Sequence, residues 1–208
     1  MLTAFTASLL LITVSELGDK TFFISAILAM RHPRRWVFVG AVAALALMTI
    51  LSVLVGQAAT VLPESVLKWA EVGLFFVFGL KLLYEASQMP AVSGCEEEKA
   101  AAETVKKAEK VLAEKHQEAN PFAIVSEAFG LTFVAEWGDR TQIATIALAA
   151  ANPPVGVVLG AVLGHAICAA IAVLCGRWLC GRLSERTLTA LGGGLFLLFA
   201  FVALSSHG

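Results

Sequence analysis

The chain has 208 residues, of which 58% are hydrophobic and only 15% are charged, and its mean hydropathy is +0.81. A soluble domain of this size cannot bury so much apolar surface, so the composition indicates an all-α integral membrane protein. The net charge of -1 gives no sign of a nucleic-acid partner.

Six membrane-spanning helices are predicted along the chain, and a charged segment separates the third from the fourth. This segment, residues 90–120, contains seven Glu and five Lys. Its apolar residues recur at helical spacing, which predicts a short amphipathic helix serving as a solvated, water-facing tether on the cytoplasmic side. The predicted spans are 4–30, 36–59, 66–89, 121–150, 155–178 and 184–206, and the apolar positions of the linker are Ala101, Val105, Ala108 and Leu112.

The two halves of the chain, 1–89 and 121–208, repeat each other at an offset of 120 positions. The offset aligns Pro33 with Pro153 and Gly40 with Gly160 without a gap. Because each half contains three spans, the second half must enter the membrane from the opposite face. The sequence therefore predicts two inverted-topology three-helix repeats, an architecture typical of secondary transporters.

Basic residues predict the orientation. Twelve of them fall on the side that holds the loops after spans one, three and five, and only Lys68 falls on the other side. By the positive-inside rule, those loops are cytoplasmic and both termini are extracytoplasmic. The twelve are Arg31, Arg34, Arg35, Lys81, Lys99, Lys106, Lys107, Lys110, Lys115, Arg177, Arg182 and Arg186.

A six-residue motif interrupts the first span at Glu16-Leu17-Gly18-Asp19-Lys20-Thr21 and the fourth at Glu136-Trp137-Gly138-Asp139-Arg140-Thr141. A carboxylate inside the bilayer costs roughly 2.5–3.5 kcal/mol on insertion scales, so these acids are expected to face a polar cavity or one another. Glu and Asp three positions apart share a helix face, and the intervening glycine lets the backbone bend or another helix approach. The alternative is a set of buried salt bridges that joins two helices.

The motif residues predict a hard-cation site. Glu16, Asp19, Glu136 and Asp139 are the candidate metal ligands, with the hydroxyls of Thr21 and Thr141 as secondary ligands. Oxygen ligands without His or Cys favour Mn²⁺, Ca²⁺ or Mg²⁺. The four acids with Lys20 and Arg140 sum to a charge of -2, which one divalent ion would neutralise. Lys20 and Arg140 either pair with the glutamates four positions earlier or approach the ion to release it. Gly18 and Gly138 are the predicted helix breaks.

The doubled Glu-x-Gly-Asp-Lys/Arg-Thr motif, in a six-span chain with a charged central loop, resembles the Gdt-type cation exchanger family, which includes a bacterial manganese exporter and a human Golgi Ca²⁺/Mn²⁺ transporter. The resemblance implies a transporter that exports Mn²⁺, or alternatively Ca²⁺, in exchange for protons, without a prosthetic group. The chain has no long N-terminal targeting extension, which favours a bacterial inner membrane.

Two other functions are compatible with buried carboxylates. A divalent-cation channel would use the same ligands, but its flux would not saturate or need a counter-ion. An intramembrane aspartyl protease would use two aspartates, but Glu16 and Glu136 replace its expected first glycine, and a basic residue follows each Asp. We therefore expect a transporter and no enzyme.

Several other polar or small residues in the spans have weaker predictions. Glu71 and Glu127 are expected near helix ends and water, and His165 is expected to bond between helices rather than relay protons. Glycines at every fourth position of span five predict close helix packing. Polar residues of span two line a pathway or bond to their own backbone. The glycines are Gly156, Gly160 and Gly164, and the polar residues are Thr49, Ser52 and Gln57.

Overall fold

The computed structural model describes residues 1–89, 96–114, 120–179 and 184–205. All regular structure in these ranges is helical. Both ends of the predicted linker and residue 206 of the sixth predicted span lie outside the described residues. The helices are α1 (Leu2–Glu16), α2 (Lys20–Arg31), α3 (Arg34–Ala58, followed by a 3₁₀ turn at Ala59–Val61), α4 (Glu64–Gln88), α5 (Glu96–Glu114), α6 (Pro121–Ala135), α7 (Arg140–Ala151), α8 (Pro154–Leu179) and α9 (Glu185–Ser205).

Three described helices are long and apolar enough to cross a membrane, namely α3 with its 3₁₀ turn, most of α8, and α9. The pair α1 and α2 adds a fourth candidate span that bends by 65° at its break. The predicted spans 4–30 and 121–150 are each divided into two helices at the motif, where the sequence predicted an interruption. The six-span arrangement stays a prediction, since α6 is short and α4 includes Glu71 and Lys81.

The repeat seen in the sequence recurs in the helix bounds and contacts. Helices α2 and α7 begin and end 120 positions apart. A Cβ on Gly40 of α3 would meet the carbonyl oxygen of Val125 on α6, and a Cβ on Gly160 of α8 would meet that of Phe5 on α1. Gly160 is the equivalent of Gly40, and Phe5 is the equivalent of Val125, at the offset of 120 positions. The two contacts are therefore the same contact made once by each half. The two halves therefore pack through equivalent glycine contacts.

Gly160 lies where α1 and α8 approach most closely. A Cβ there would overlap Ser8 Oγ and the Phe5 carbonyl oxygen, so Gly160→Ala must push the two helices apart. We expect a loss of roughly 1–3 kcal/mol, measured as a lower melting temperature in detergent. Gly194→Ala is the matched control, because a Cβ on Gly194 meets no atom within 4 Å. Equal melting temperatures for the two variants would contradict this packing.

Helices α4 and α9 are equivalent in the repeat, but their contacts with the other helices do not follow the repeat symmetry. They pack along each other, with Phe75 and Phe196 in edge-to-face contact at 5.7 Å between ring centroids. Within the described ranges, α4 also packs against α7 and α9 against α1, whereas the equivalent contacts with α6 and α2 are minor. The pair therefore contacts the helices of the two motif breaks unequally.

Helix α5 of the charged segment is not a water-facing tether. Ala101 and Val105 are fully buried, and they belong to the same apolar core as Phe22 and Phe23 of α2. The burial of this small apolar face fixes α5 against α2, while Lys99, Glu103, Lys106 and Lys107 lie on its exposed face. The predicted amphipathic helix is present, but the role expected of it is corrected. The side chain of Leu112 lies outside the described residues.

The packing of α5 can be tested by thiol labelling. In a background with Cys95, Cys168, Cys175 and Cys180 replaced by serine, we expect Ala101→Cys to react at least about 10-fold more slowly with a water-soluble maleimide than Ala102→Cys, because burial limits the open population. Ala101 is buried, and its neighbour Ala102 is exposed. Equal labelling rates in the native protein would show that α5 does not rest on α2.

Candidate metal centre

The site is built from two helix breaks with the same geometry. Helix α1 ends at Glu16 and α2 begins at Lys20, while α6 ends before Glu136 and α7 begins at Arg140. Gly18 and Gly138 have φ values of 80° and 81°, in the left-handed region that glycine adopts without steric cost. Each break therefore turns the chain within three or four residues and leaves an aspartate at the N-cap of the following helix.

Three carboxylates from the two halves meet at this point. One oxygen each from Glu16, Glu136 and Asp139 can be chosen so that all three lie within 4.8 Å of one another. Glu16 is only 2% exposed and Glu136 only 4%. In the described part of the chain, Oε1 of each glutamate is buried without a hydrogen-bond partner. These orphaned oxygens fit a cation ligand better than a set of internal salt bridges.

The fourth predicted ligand, Asp19, is arranged differently from its equivalent Asp139. The Asp139 carboxylate caps α7, because its Oδ2 accepts hydrogen bonds from the Thr141 amide at 3.1 Å and the Thr141 hydroxyl at 2.9 Å. Asp19 lies near the Thr21 amide but does not cap α2 with a bond as well formed, and its Oδ1 lies 3.5 Å from Nη2 of Arg140. The structure therefore assembles three of the four carboxylates and holds the fourth beside a guanidinium group.

The motif threonines lie beside the carboxylates. The Thr21 hydroxyl is 3.4 Å from Glu16 Oε2, to which it donates. Each hydroxyl is also close enough to interact with the glutamate of the opposite motif, Thr141 with Glu16 and Thr21 with Glu136. These hydroxyls stabilise the carboxylates and can offer oxygen to an ion.

The two basic motif residues do not pair with the glutamates four positions before them. Arg140 reaches across to Asp19 and, through Nη1 at 4.0 Å, to Glu85 Oε2 on α4. In the described part of the chain Lys20 forms no ion pair and lies on the wall of a cavity. The possibility of Glu136–Arg140 pairing that the sequence left open is thus not realised in this conformation.

An open cavity of about 450 Å³ leads to the cluster. It reaches Asp19 and Asp139 at one end and is lined by Glu85 of α4 and Glu97 of α5. Burial, and then the neighbouring negative charge of Glu185, raise the pKa of Glu97, while Arg140 and Lys20 oppose the shift. Sequence reasoning missed Glu85 and Glu97 because neither has an acidic equivalent 120 positions away.

Other polar residues of the spans lie away from the cluster. Glu71 is buried and the Glu127 side chain is only 7% exposed, so neither has the water contact that was expected. Asn152 donates to Glu71 at 2.9 Å, and His32 lies 3.6 Å from Glu127. Thr49 and Ser52 are buried, and their hydroxyls donate to the backbone carbonyls of Leu45 and Met48 in their own helix. The Gln57 side chain donates to the Ala149 carbonyl. The glycines of α8 pack closely on α1, as predicted.

His165 is buried beside the site. Its imidazole is near enough to Asp139 to interact electrostatically. Its Nδ1 is buried and makes no hydrogen bond to the described residues, so the expected bond between helices is not seen at that atom.

Comparison with known proteins identifies the family to which the chain is related. The family described as "Divalent cation/proton antiporter GDT1" matches residues 4–90 and 124–208, which together cover both motifs and most of the chain. The chain belongs to this family. The family resemblance inferred from the doubled motif is confirmed, and a transporter is confirmed over a protease, because the family consists of antiporters.

The relatives come from a cyanobacterium and from plants. The chain is 60% identical over 207 residues to GDT1-like protein sll0615 of Synechocystis, covering 98% of this chain and 97% of the relative. It is 42% identical over 208 residues to the chloroplastic PAM71-homolog protein of Arabidopsis thaliana, covering 94% of this chain and 57% of the relative. It is 40% identical over 224 residues to GDT1-like protein 5 of Arabidopsis thaliana, covering 98% and 96%. No solved structure matches the chain.

Proposed function

We propose that this antiporter exchanges Mn²⁺ for protons at the carboxylate cluster formed by the two motif breaks, with Ca²⁺ as the alternative cation. The observation that carries the proposal is the meeting of Glu16, Glu136 and Asp139 oxygens within 4.8 Å. Oxygens this close can bind one ion at the usual distances of about 2.1–2.6 Å. Both halves of the chain supply these oxygens, as is typical of transporters built from inverted repeats.

The chemistry of the donor set selects the class of cation. Carboxylate and hydroxyl oxygens surround the site, and these hard ligands favour Mn²⁺, Ca²⁺ or Mg²⁺ over softer metals. Four ionised acids with Lys20 and Arg140 leave a charge of -2, which one divalent ion balances. When the ion leaves, protons can balance the same carboxylates, so ion and proton occupancy compete at one place. This competition is the physical basis of exchange.

The helix contacts support alternating access by two inverted repeats. Equivalent glycine contacts relate α3–α6 to α8–α1 across the halves. The pair α4 and α9 departs from this symmetry by packing on α1 and α7, and α4 lines the cavity that leads to the cluster. In the proposed cycle the pair moves to pack on α2 and α6, which closes this cavity and opens the other side.

The proposed setting is a bacterial inner membrane with both termini outside the cytoplasm. Twelve basic residues against one support this orientation. It puts the cavity mouth at Glu85 and Glu97 on the cytoplasmic side. An ion that enters there and leaves on the far side is exported, and an inward proton gradient would drive the exchange.

The proposal is tested by reconstituting the purified chain in liposomes that contain a pH indicator. External Mn²⁺ should enter with saturating kinetics and raise the internal pH as protons leave, and Ca²⁺ and Mg²⁺ are compared at equal concentrations. Empty liposomes provide the leak control.

Each outcome separates one candidate from the others. Saturating Mn²⁺ entry with proton release supports the exchanger, and a stronger response to Ca²⁺ would make Ca²⁺ the substrate. Non-saturating metal flux that does not move protons would indicate a channel. Proton movement that is the same with and without each ion would overturn the exchange proposal.

A further inference from the structure

The Arg140 guanidinium lies between a site carboxylate and a carboxylate at the cavity mouth. Nη2 is 3.5 Å from Asp19 Oδ1, and Nη1 is 4.0 Å from Glu85 Oε2. The arginine side chain is 32% exposed, Asp19 is 15% exposed and Glu85 is 37% exposed. The three groups therefore run from the buried cluster towards water, with one cation shared by two acids.

This arrangement makes Arg140 a competitor of the transported ion for Asp19. Asp139, the equivalent aspartate, belongs to the three-carboxylate cluster, whereas Asp19 faces the guanidinium. A divalent ion that enters the cluster repels Arg140 and can use Asp19 as a further ligand. Asp19 becomes available only if the guanidinium finds another carboxylate, because an unpaired charge in this partly buried place is costly.

We infer that Glu85 is a positioning residue that receives Arg140 from Asp19 when a cation binds, so that Asp19 can join the site. This inference rests on the proposed function. Glu85 already lies at the other face of the guanidinium, and Lys81, 3.7 Å from its Oε1, holds the opposite carboxylate oxygen. A small rotation of Arg140 then exchanges one charge-assisted contact for another.

The proposed transfer of the arginine depends on a carboxylate that only one of the two repeats has at this position. The position equivalent to Glu85 is Ser205 at the end of α9, and its hydroxyl donates to its own helix at the Val202 carbonyl. No carboxylate is therefore offered to Lys20 by the equivalent residue. Glu85 makes the two ends of the transport path chemically different although the motifs are the same.

A double-mutant cycle tests the transfer by Mn²⁺ titration of the purified full chain in detergent. In the native background, Glu85→Gln should weaken Mn²⁺ binding about 10-fold, because Arg140 then remains on Asp19. In the Arg140→Gln background the same change should alter binding by less than about 2-fold, since there is no guanidinium to transfer. Glu85→Ala is carried through the same cycle so that a poorly folded variant does not decide the result.

Glu64→Gln is the matched control. Glu64 is also on α4 and also lies 3.7 Å from a lysine four residues away, Lys68, but it is far along the helix from Glu85 and 90% exposed. It should leave Mn²⁺ binding unchanged in both backgrounds.

The outcomes distinguish this inference from simple attraction and from failure of the proposed function. An equal loss of affinity in both backgrounds would mean that Glu85 only attracts cations, and no loss in the native background would mean that it has no part in binding. Either result overturns the inference and leaves the exchanger intact. If the unmodified chain binds neither Mn²⁺ nor Ca²⁺, the proposed function itself fails.

Discussion

Replacing Glu16 or Glu136 by glutamine should reduce Mn²⁺ transport by at least about 100-fold, which corresponds to about 2.7 kcal/mol of lost interaction. Each change removes a buried negative charge from the cluster and replaces one ligand oxygen by an amide nitrogen that cannot bind the ion. The size of the side chain is preserved, so packing around α1 and α6 should survive. The measurement is initial Mn²⁺ flux into proteoliposomes at equal protein content.

Glu71→Gln is the matched control for these two changes. Glu71 is also a buried glutamate, at 4% exposure, but its partner is Asn152 and it lies outside the cluster. A glutamine there can still accept the amide hydrogen bond, so flux should remain within about 2-fold of the native value. Near-native flux in both Glu16→Gln and Glu136→Gln would show that the transported ion is bound elsewhere.

The sequence predicted the elements that depend on local chemistry. Charged residues in an apolar span, a glycine between two acids and the repetition of both at a fixed offset indicated the two motif breaks and the residues at them. The left-handed φ of Gly18 and Gly138 explains why the breaks occur there. These features follow from residue type and spacing, which a sequence contains in full.

The features that the sequence did not predict depend on contacts between distant elements. Ala101 and Val105 correctly predicted which face of α5 is apolar, but they did not predict that this face packs against α2. Small apolar residues also occur on charged helices that are surrounded by water. The long Arg140 side chain could reach several carboxylates, and its partners Asp19 and Glu85 were decided by how α4 packs on α7. Periodicity cannot determine which of several reachable acids an arginine contacts.

The difference between the two aspartates has the same origin. Two nearly identical motifs predict two equivalent aspartates, yet the helices around the two motifs do not pack symmetrically. The pair α4 and α9 packs on α1 and α7, and the guanidinium that faces this pair contacts Asp19 alone of the two aspartates. The asymmetry thus follows both from the unequal helix packing and from the presence of Arg140 in one motif where the other has Lys20.

This asymmetry predicts that Asp139→Asn weakens Mn²⁺ binding more than Asp19→Asn in the purified protein. We expect a loss of about 100-fold for Asp139, because it removes a charge from the assembled cluster, and of about 10-fold or less for Asp19. The smaller loss arises because Asp19 must lose its contact with Arg140 before it can bind the ion. The free energy lost with that contact offsets part of the free energy gained by binding. Titration of Mn²⁺ in detergent measures both.

The two variants also control each other for folding. Asparagine is as good an N-cap as aspartate, so Asp139→Asn can still accept the Thr141 amide and should keep the native melting temperature. Transport should fall in both variants, since each aspartate is a proposed ligand of the transported ion. Equal losses of affinity would mean that Asp19 and Asp139 bind the ion alike, and that Arg140 does not compete with it.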